Sequence, residues 1–543
     1  MNWTDLLSFL SFSLGIQNLP GIRTYNHTGT GAARFRVGSL PGNPTLPSSY
    51  AGLIPIPGTE EGNSLFFWLL EAENREDNEN LIIVFKGGPG CSSLIGALSE
   101  NGPLSFFGNN SMPTPNPYSW TKLGNVLYID QPVGTGFSTS SSTKPVSTNE
   151  KVTSDLYTWL SAFYREFPDL LEKKTHLIGE SYAGIFVPYF ASEIVKHQDS
   201  LPINLKSISV GNGIFGNNAA MADVAVGAYL EMHAASLNIP QDIVHAFSSA
   251  DHICKFDTVL EEANEYPPHG PISVPGNPEN LNFRRDEPCR APSDSDAGPM
   301  AECNVHPTEP NAVMESILNS TCHGPCATFS TAADYFETRS NLTHDCFNLY
   351  NIKYDCSAVN PLDRLTAYLN RADVQTSLHI PQSRTGNKKN RKSNNKPYPF
   401  QGCNSEIIRS LLGSSNHPTP PAYFIIPDLI STHKISTHIY HGKLDMLVNH
   451  LAVELVLQNM TWNGLQGFQR RPGTPFGVRK SGSRAGFKKS STNEGANNTS
   501  AGIWTAERGL TYHLFNEAGH VVPFDQPEEM FWYVKEVVLG GNE

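Results

Sequence analysis

Long apolar runs and a surplus of positive charge are both absent from this 543-residue chain. No apolar segment is long enough to cross a membrane as a helix. Lys and Arg number 39 against 52 Asp and Glu, which gives a formal net charge of −13 at pH 7. Because nucleic-acid-binding proteins use a basic surface to displace counterions from phosphates, we expect no nucleic-acid partner. Two basic segments, 384–396 and 469–489, are low in apolar residues and predict solvated loops.

Cysteine is scarce, and its spacing does not suggest a metal site. Several of the nine cysteines lie between positions 254 and 356, among Pro, Asn and Ser, without the regular Cys-x-x-Cys pairs of zinc sites. We therefore expect no metal and no cofactor, but disulfides with one thiol left unpaired. The sequence does not reveal which of these cysteines pair, nor the oligomeric state.

Sequons for N-glycosylation agree with a disulfide-forming compartment. Six asparagines open an Asn-x-Ser/Thr triplet: Asn26, Asn109, Asn319, Asn341, Asn459 and Asn497. Residues 6–16 resemble the apolar part of a signal peptide, although no basic residue precedes them and no Ala-x-Ala site follows. Together these features predict the secretory pathway, with an extracellular or a vacuolar or lysosomal destination.

The segment 175–188, THLIGESYAGIFVP, carries the strongest chemical signal. A short apolar run predicts a buried strand that stops at Gly-Glu-Ser-Tyr-Ala-Gly, after which apolar residues recur at helical spacing. Small residues on both sides of Ser181 allow the sharp strand–turn–helix bend that holds a serine nucleophile clear of a sheet. Such a turn also occurs by chance, so the interpretation depends on partners elsewhere in the chain.

Strand and helix patterns alternate around this segment and predict an α/β fold. Apolar runs at 81–85, 125–129 and 205–210 predict buried strands, and an amphipathic helix is predicted from 152 to 167. Runs at 50–56 and 65–71 suit an antiparallel edge. We expect a mixed, mostly parallel sheet with helices on both faces.

The alternation lapses between 214 and 379, which suggests a helical, disulfide-containing cap inserted into the core. The predicted organisation is an N-terminal arm with a signal-like segment (1–45), the first part of the core (46–213), the cap (214–379) and the second part of the core (380–543). A separate domain in place of the cap is a less favoured alternative.

A glycine-rich turn, KGGPGCSS at 86–93, follows the strand at 81–85. It lacks the Walker spacing and the Gly-Lys-Ser/Thr ending of a phosphate-binding loop. Its backbone N–H at Gly88, together with that of Tyr182, suits an oxyanion hole. An ordinary tight turn is the alternative.

Two later strand ends supply partners for Ser181. Asp445 follows a predicted strand at 435–440, and His520 follows one at 510–515. The chain order Ser, Asp, His is that of α/β-hydrolases, which predicts a catalytic triad. His433, His438 and His441 could suggest a metal, but their spacing along a strand does not make them converge.

At this point the chain resembles a serine carboxypeptidase of the α/β-hydrolase fold, from about residue 50 to residue 537. The motifs that carry the resemblance are LFFW at 65–68, GGPGCSS at 87–93, ENGP at 100–103, NPYSW at 116–120, DQPVG at 130–134, GESYAG at 179–184, GNG at 211–213 and GHVVP at 519–523. The resemblance implies removal of C-terminal residues from peptides, with Ser181 as nucleophile, His520 as base and then acid, and Asp445 orienting it. It also implies disulfides Cys91–Cys403 and Cys346–Cys356.

The resemblance further implies a subsite for the substrate's free carboxylate, formed by the residue before Gly87, by Gly87 itself, and by Glu100 and Glu180. The family has Asn at the first position, whereas this chain has Lys86. Lys86 either binds the substrate carboxylate directly and allows Glu180 to stay ionised near neutral pH, which we favour, or forms a closed ion pair with a glutamate. The closed pair would leave an esterase or acyltransferase, or a binding protein with a vestigial site.

Overall fold

The computed structural model describes residues 31–42, 46–74, 77–106, 112–274, 307–319, 324–343, 346–354, 361–381, 398–413, 419–478, 487–489 and 500–540. These residues fold around one large sheet, and hydrophobic clusters cover both of its faces. The predicted α/β-hydrolase architecture, a mostly parallel sheet between layers of helices, is confirmed.

Sixteen strands are present in the described residues. In chain order they are β1 Arg36–Val37, β2 Ser49–Pro55, β3 Ser64–Leu70, β4 Asn80–Phe85, β5 Leu104–Ser105, β6 Thr114–Pro115, β7 Asn125–Asp130, β8 Lys174–Glu180, β9 Leu205–Gly211, β10 Ser436–Gly442, β11 Thr461–Trp462, β12 Leu465–Gln466, β13 Thr474–Val478, β14 Phe487–Lys489, β15 Gly502–Glu507 and β16 Leu510–Phe515. Twelve of them form the main sheet in the order β1-β2-β3-β7-β4-β8-β9-β10-β16-β15-β13-β14. The central run from β7 to β16 is parallel, and both edges are antiparallel.

Helices occupy the connections between strands. The α-helices are Leu94–Ser99, Asn149–Glu166, Ala183–Lys196, Asn218–Ala222, Val226–His233, Gln241–Cys254, Phe256–Ala263, Pro310–Leu318, Thr328–Thr343, Pro361–Leu369, Ala372–Ser377, Ser405–Leu412, Ile425–Ser431, His450–Asn459, Val522–Asp525 and Pro527–Tyr533. Short 3₁₀ turns lie at Ala32–Phe35, Trp120–Lys122 and Pro168–Leu170, and a π-helical turn lies at Val534–Val538. None of the helices in these described parts is both long enough and apolar enough to cross a membrane.

Side chains of β3 alternate between the two faces of the sheet, as the two-residue period of a strand requires. Phe67 packs on one face with Trp159 and Phe163 of helix Asn149–Glu166. Phe66 and Trp68 belong to the cluster on the opposite face. The sheet is therefore buried on both sides, which explains why its central strands are continuous apolar runs.

The predictions at the edges of the sheet need correction. The basic segment 469–489 was predicted to be a solvated loop, but this is wrong, because it contributes β13 and β14, which pair antiparallel with each other. β15, which we did not predict, joins β13 to β16. The arm 1–45 also contributes the short β1, paired with β2. The other basic segment, 384–396, lies outside the described residues.

The described part of 214–379 is helical and contains a disulfide between Cys254 and Cys326. Cys346 is also disulfide-bonded, and its predicted partner Cys356 lies outside the described residues. Helix Pro361–Leu369 contributes Leu365 and Tyr368 to the core cluster that includes β3 and helix Leu94–Ser99. The boundaries of the cap stay a prediction, and this packing favours an earlier end for it.

Candidate active site

The candidate nucleophile lies where β8 meets helix Ala183–Lys196. Ser181 has a φ of 63°, in the left-handed region that side chains other than glycine rarely adopt, and its N–H donates to the carbonyl of Gly211 (3.0 Å). A Cβ atom at Gly184 would lie 2.6 Å from the carbonyl oxygen of Ile214, so only glycine fits there. The backbone is thus bent tightly enough to turn the serine side chain away from the sheet.

Two candidate triad members meet at the carboxyl ends of β10 and β16, which are parallel neighbours. The Nδ1–H of His520 donates to Oδ2 of Asp445 at 2.7 Å. Both side chains are buried. Asp445 also accepts the backbone N–H of Val448 on its other oxygen (3.2 Å). Because Nδ1 carries the proton, Nε2 of His520 is the nitrogen with a free lone pair.

His520 Nε2 is buried and has no hydrogen-bond partner among the described residues, the Ser181 hydroxyl included. A buried, unbonded lone pair next to a fixed carboxylate is suited to accept a proton during a reaction. Loose nucleophile–base contacts are usual in the absence of substrate. These contacts are those expected of a base held by Asp445, and the role of His520 stays a prediction.

Asn212 is a functional residue that the sequence reasoning did not identify, although its motif, Gly-Asn-Gly, was noted. Its amide Nδ2 donates to Asp445 Oδ2 (2.8 Å), and its Oδ1 accepts the N–H of Gly442 (3.2 Å). Asn212 follows β9, between the strands that lead to Ser181 and Asp445. It thereby bonds the same carboxylate oxygen of Asp445 that accepts the imidazole N–H.

The glycine-rich turn lies directly against the Ser181 bend. A Cβ atom at Gly87 would lie 2.5 Å from the amide nitrogen of Tyr182 and 2.6 Å from the carbonyl oxygen of Glu180. Gly88 has a φ of 107°, which also requires glycine. The turn thus packs directly against the backbone at Tyr182, and the oxyanion hole at Gly88 and Tyr182 stays a prediction.

A disulfide anchors this turn. The structure joins Cys91 to Cys403, the pairing that the resemblance implied, across 312 positions of sequence. Backbone bonds from Asn404 N–H to the Gly90 carbonyl (3.0 Å) and from Ser92 N–H to the Gly402 carbonyl (2.8 Å) support the same contact. The glycine-rich turn is therefore tied to residues 402–404, in the second part of the chain.

Lys86 bridges the two glutamates of the predicted carboxylate subsite. Its ammonium group contacts Oε1 of Glu100 at 2.6 Å and also donates to Oε2 of Glu180. Tyr440 donates its hydroxyl to the other oxygen of Glu180 (3.1 Å), a partner that the sequence reasoning missed. Side-chain exposure is 13% for Lys86, 2% for Glu100 and 7% for Glu180. The three charges are thus held together in a nearly closed site.

The electrostatics of this trio place the titration of Glu100 near neutral pH. Burial, and then the charge of Glu180, raise the pKa of Glu100 to about 7, although Lys86 opposes the shift. Burial alone would lower the pKa of Lys86, but the charges of Glu100 and Glu180 outweigh it and raise the pKa above its usual range. The ammonium therefore stays charged, and Glu100 titrates near pH 7.

The structure bears on both alternatives for Lys86. The ion pairs expected of a closed subsite are present. An ammonium group has three N–H donors, however, and two of those of Lys86 have carboxylate partners, while the third has none among the described residues. The ion pairs consequently leave one donor to bind a further carboxylate.

The three histidines that could suggest a metal site have separate partners in the structure. Among the described residues no group of three His, Cys, Asp or Glu side chains converges as metal ligands. His438 bonds Thr511 (2.9 Å), and His441 bonds the Val448 carbonyl (2.6 Å) and is kept neutral by burial, which lowers its pKa to about 4. His433 lies beside Asp428 instead.

Three of the six sequons lie outside the described residues, at Asn26, Asn109 and Asn497. Asn341 is exposed on helix Thr328–Thr343, and Asn319 is partly exposed. The amide of Asn459 instead exchanges two hydrogen bonds with the backbone of Ile272, both at 2.9 Å. Glycosylation remains a prediction at every site, and Asn341 is the most accessible of the described ones.

Comparisons with known proteins identify the family. The sequence profile described as serine carboxypeptidase matches residues 41–540. A carboxypeptidase Y homolog of Arthroderma benhamiae is 46% identical over 540 residues, which cover 99% of this chain and 100% of the relative. Carboxypeptidase sxa2 of Schizosaccharomyces pombe is 28% identical over 93% of this chain and 88% of its own length.

Among solved structures, the prohormone-processing carboxypeptidase Kex1Δp of Saccharomyces cerevisiae matches with a TM-score of 0.60 and 21% identity. The match covers 94% of this chain and 95% of that one and shows the shared fold. With the family profile over nearly the whole chain and a relative of 46% identity, the chain belongs to the serine carboxypeptidase family.

Proposed function

We propose that the enzyme removes C-terminal amino acids from peptides through an acyl-enzyme on Ser181. The Ser181 hydroxyl attacks the last peptide carbonyl, and His520 Nε2 accepts its proton. Asp445, bonded to Nδ1 at 2.7 Å, stabilises the imidazolium that forms. The backbone N–H groups of Gly88 and Tyr182 receive the oxyanion.

Collapse of the tetrahedral intermediate breaks the C–N bond, and His520 returns the proton to the departing amino group. A water molecule then attacks the acyl-enzyme with His520 again as base, which releases the shortened peptide and regenerates Ser181. No further group is needed to balance protons, because one base accepts and returns each of them.

One observation supports an exopeptidase rather than a general hydrolase. Lys86 lies between Glu100 and Glu180, and Glu180 is the residue directly before Ser181. A cation with a free donor next to the nucleophile offers a charge-assisted bond to a carboxylate one residue beyond the scissile bond. Such a site would select substrates whose leaving group is a single amino acid.

The test compares a blocked dipeptide with its C-terminal amide between acidic and neutral pH. We expect cleavage of the free acid and much slower cleavage of the amide, with no cleavage by Ser181→Ala. Equal cleavage of both would contradict a role of Lys86 in carboxylate recognition. Cleavage of neither, with turnover of a simple ester, would favour the esterase or acyltransferase alternative.

For localisation, we propose a protein of the secretory pathway that ends outside the cell or in a vacuole. The disulfides Cys91–Cys403 and Cys254–Cys326 suit an oxidising compartment, and Asn341 offers an exposed sequon. Treatment of the native protein with a glycosidase should lower its apparent mass. If untreated Asn341→Gln and untreated wild type have the same apparent mass, glycosylation at that site is contradicted.

A further inference from the structure

We infer that Asp525 is a positioning residue which, with Asn351 of the cap, fixes the loop that carries His520. The inference rests on the proposed function only in taking His520 as the catalytic base. Asp525 lies at the end of the short helix Val522–Asp525, five residues after His520. No role in catalysis follows from the family motifs quoted above for either Asp525 or Asn351.

Two donors converge on one oxygen of Asp525. Oδ2 accepts the backbone N–H of Gly519, the residue before His520, at 2.7 Å. The same oxygen accepts Nδ2 of Asn351 at 3.0 Å. Hydrogen bonds to a carboxylate are about twice as strong as neutral ones, so this pair ties the His520 loop firmly to the segment that contains Asn351.

That segment, residues 348–353, is named here the brace. Its backbone carbonyl at Tyr350 accepts the N–H of His520 at 2.6 Å. A Cβ atom at Gly519 would lie 2.3 Å from the same carbonyl oxygen, so the brace packs against the loop with no space between them. The brace thus holds the base by its own backbone and by the residue before it.

The brace also holds the loop of Asp445. Its Leu349 carbonyl accepts the N–H groups of Met446 (3.0 Å) and Leu447 (3.1 Å), and its Ile352 N–H donates to the Leu444 carbonyl (3.1 Å). The flanking residues of Asp445 are therefore bonded to the same six residues as His520. One segment of the cap thus fixes the positions of the two loops relative to each other.

Tyr350 adds a side-chain contact on the base. Its ring lies edge-on to the His520 imidazole, with centroids 5.2 Å apart and planes at 75°. This contact limits tilting of the imidazole, while the Asp525–Asn351 pair limits translation of its backbone. The position of His520 Nε2 depends on both restraints.

The pairing can be tested by exchanging its partners. Asn351→Asp places two carboxylates against each other, and Asp525→Asn removes the charge that accepts both donors. In the double variant, the amide introduced at position 525 carries no charge, so the repulsion between two carboxylates is removed. Because a single oxygen of Asp525 accepts both donors, the amide can either accept the Gly519 N–H there or donate to the carboxylate at position 351, but not both. The exchange therefore relieves the defect of Asn351→Asp in part, which a purely steric role would not require.

The readout is the rate constant for phosphonylation of Ser181 by a fluorophosphonate, which needs the base but no C-terminal carboxylate. We expect Asn351→Asp to lower it by at least about tenfold and Asp525→Asn by about three- to tenfold, from the strength of charged hydrogen bonds. The double variant should be faster than Asn351→Asp but slower than wild type, because the repulsion is removed while one of the two hydrogen bonds stays lost. Lys174→Ala, which removes an exposed ion pair with Glu79 (3.0 Å) at the start of β8 and outside the brace, should leave the rate unchanged.

Thermal unfolding of each variant and the inhibition constant of a product amino acid complete the test. Because the carboxylate subsite is not altered, the inhibition constant should stay constant while the labelling rate falls. Wild-type rates in both single variants, or a double variant no faster than the slower single one, would overturn the inference. Labelling of a wild type that cleaves no peptide would instead reject the proposed function and leave this test intact.

Discussion

Binding of the substrate carboxylate should take up one proton, and its affinity should fall above pH 7. The perturbation is a rise of pH through the pKa of Glu100, which burial and the charge of Glu180 raise to about 7. Below this value Glu100 is protonated, and the trio Lys86, Glu100 and Glu180 is close to neutral. Above it the trio is negative and repels a further carboxylate.

The sign and size of the effect follow from linkage. A third carboxylate raises the pKa of Glu100 further, so the protonated form binds and the apparent dissociation constant is the intrinsic one divided by the protonated fraction. With a pKa of about 7, that fraction is about one half at pH 7 and about one eleventh at pH 8. The dissociation constant should be flat below pH 6 and rise about tenfold per pH unit above pH 7, or about 1.4 kcal/mol per unit.

Titration calorimetry of Ser181→Ala with a blocked dipeptide acid, in buffers of different ionisation heat, measures both affinity and proton uptake. The peptide amide and the variant Ser181→Ala/Glu100→Gln serve as controls, and neither should show the rise. A dissociation constant that stays flat from pH 6 to pH 9 would refute the reasoning, as would an equal rise with the amide.

Lys86→Asn extends the same argument. Without the ammonium, both glutamates must be protonated before a carboxylate can enter, so binding should require two protons and shift to acidic pH. The slope of log dissociation constant against pH should then approach two instead of one. A profile unchanged from that of wild type would contradict the role given to Lys86.

Three further outcomes are expected. Asn212→Gly, which tolerates the positive φ of that position, should lower kcat about 10- to 100-fold by removing a hydrogen bond to the triad carboxylate, with KM nearly constant in peptide assays. Tyr440→Phe should raise KM for free-acid peptides about two- to tenfold by releasing Glu180, and should leave ester turnover unchanged. Cys91→Ala should lower the free energy of unfolding by roughly 2–5 kcal/mol in urea titrations, because the disulfide closes a long loop; an unchanged unfolding midpoint would count against this.

The centre of the fold could be predicted from the sequence because parallel strands buried on both faces leave an unambiguous signal. The predicted strand at 510–515 agrees with β16 Leu510–Phe515 in full, and that at 125–129 differs from β7 Asn125–Asp130 by one residue. At the edge of the sheet, β13 contains Pro475 and Gly477, which interrupt a strand pattern, so the segment 469–489 indicated a loop where β13 and β14 form. Their pairing is decided by tertiary contacts that no local pattern encodes.

For the candidate site, residue types and chain order could be read from the sequence, whereas contacts between particular pairs of residues could not. The order of Ser181, Asp445 and His520 pointed to the strand ends where the structure places them. The contact of Asn212 with Asp445 joins residues 233 positions apart, and the pairing of Cys254 with Cys326 was equally open. Whether Lys86 would face one glutamate, both or neither also depended on side-chain geometry, which the sequence left undecided.

The backbone of Ser181 has a consequence for any attempt to engineer or evolve the enzyme. A left-handed residue with a side chain costs roughly 1 kcal/mol relative to glycine, so Ser181→Gly should melt at a higher temperature than the active enzyme. Screens that reward thermal stability alone would therefore enrich chains that have lost the proposed nucleophile. Activity must be selected alongside stability, because at this position the two requirements favour different residues.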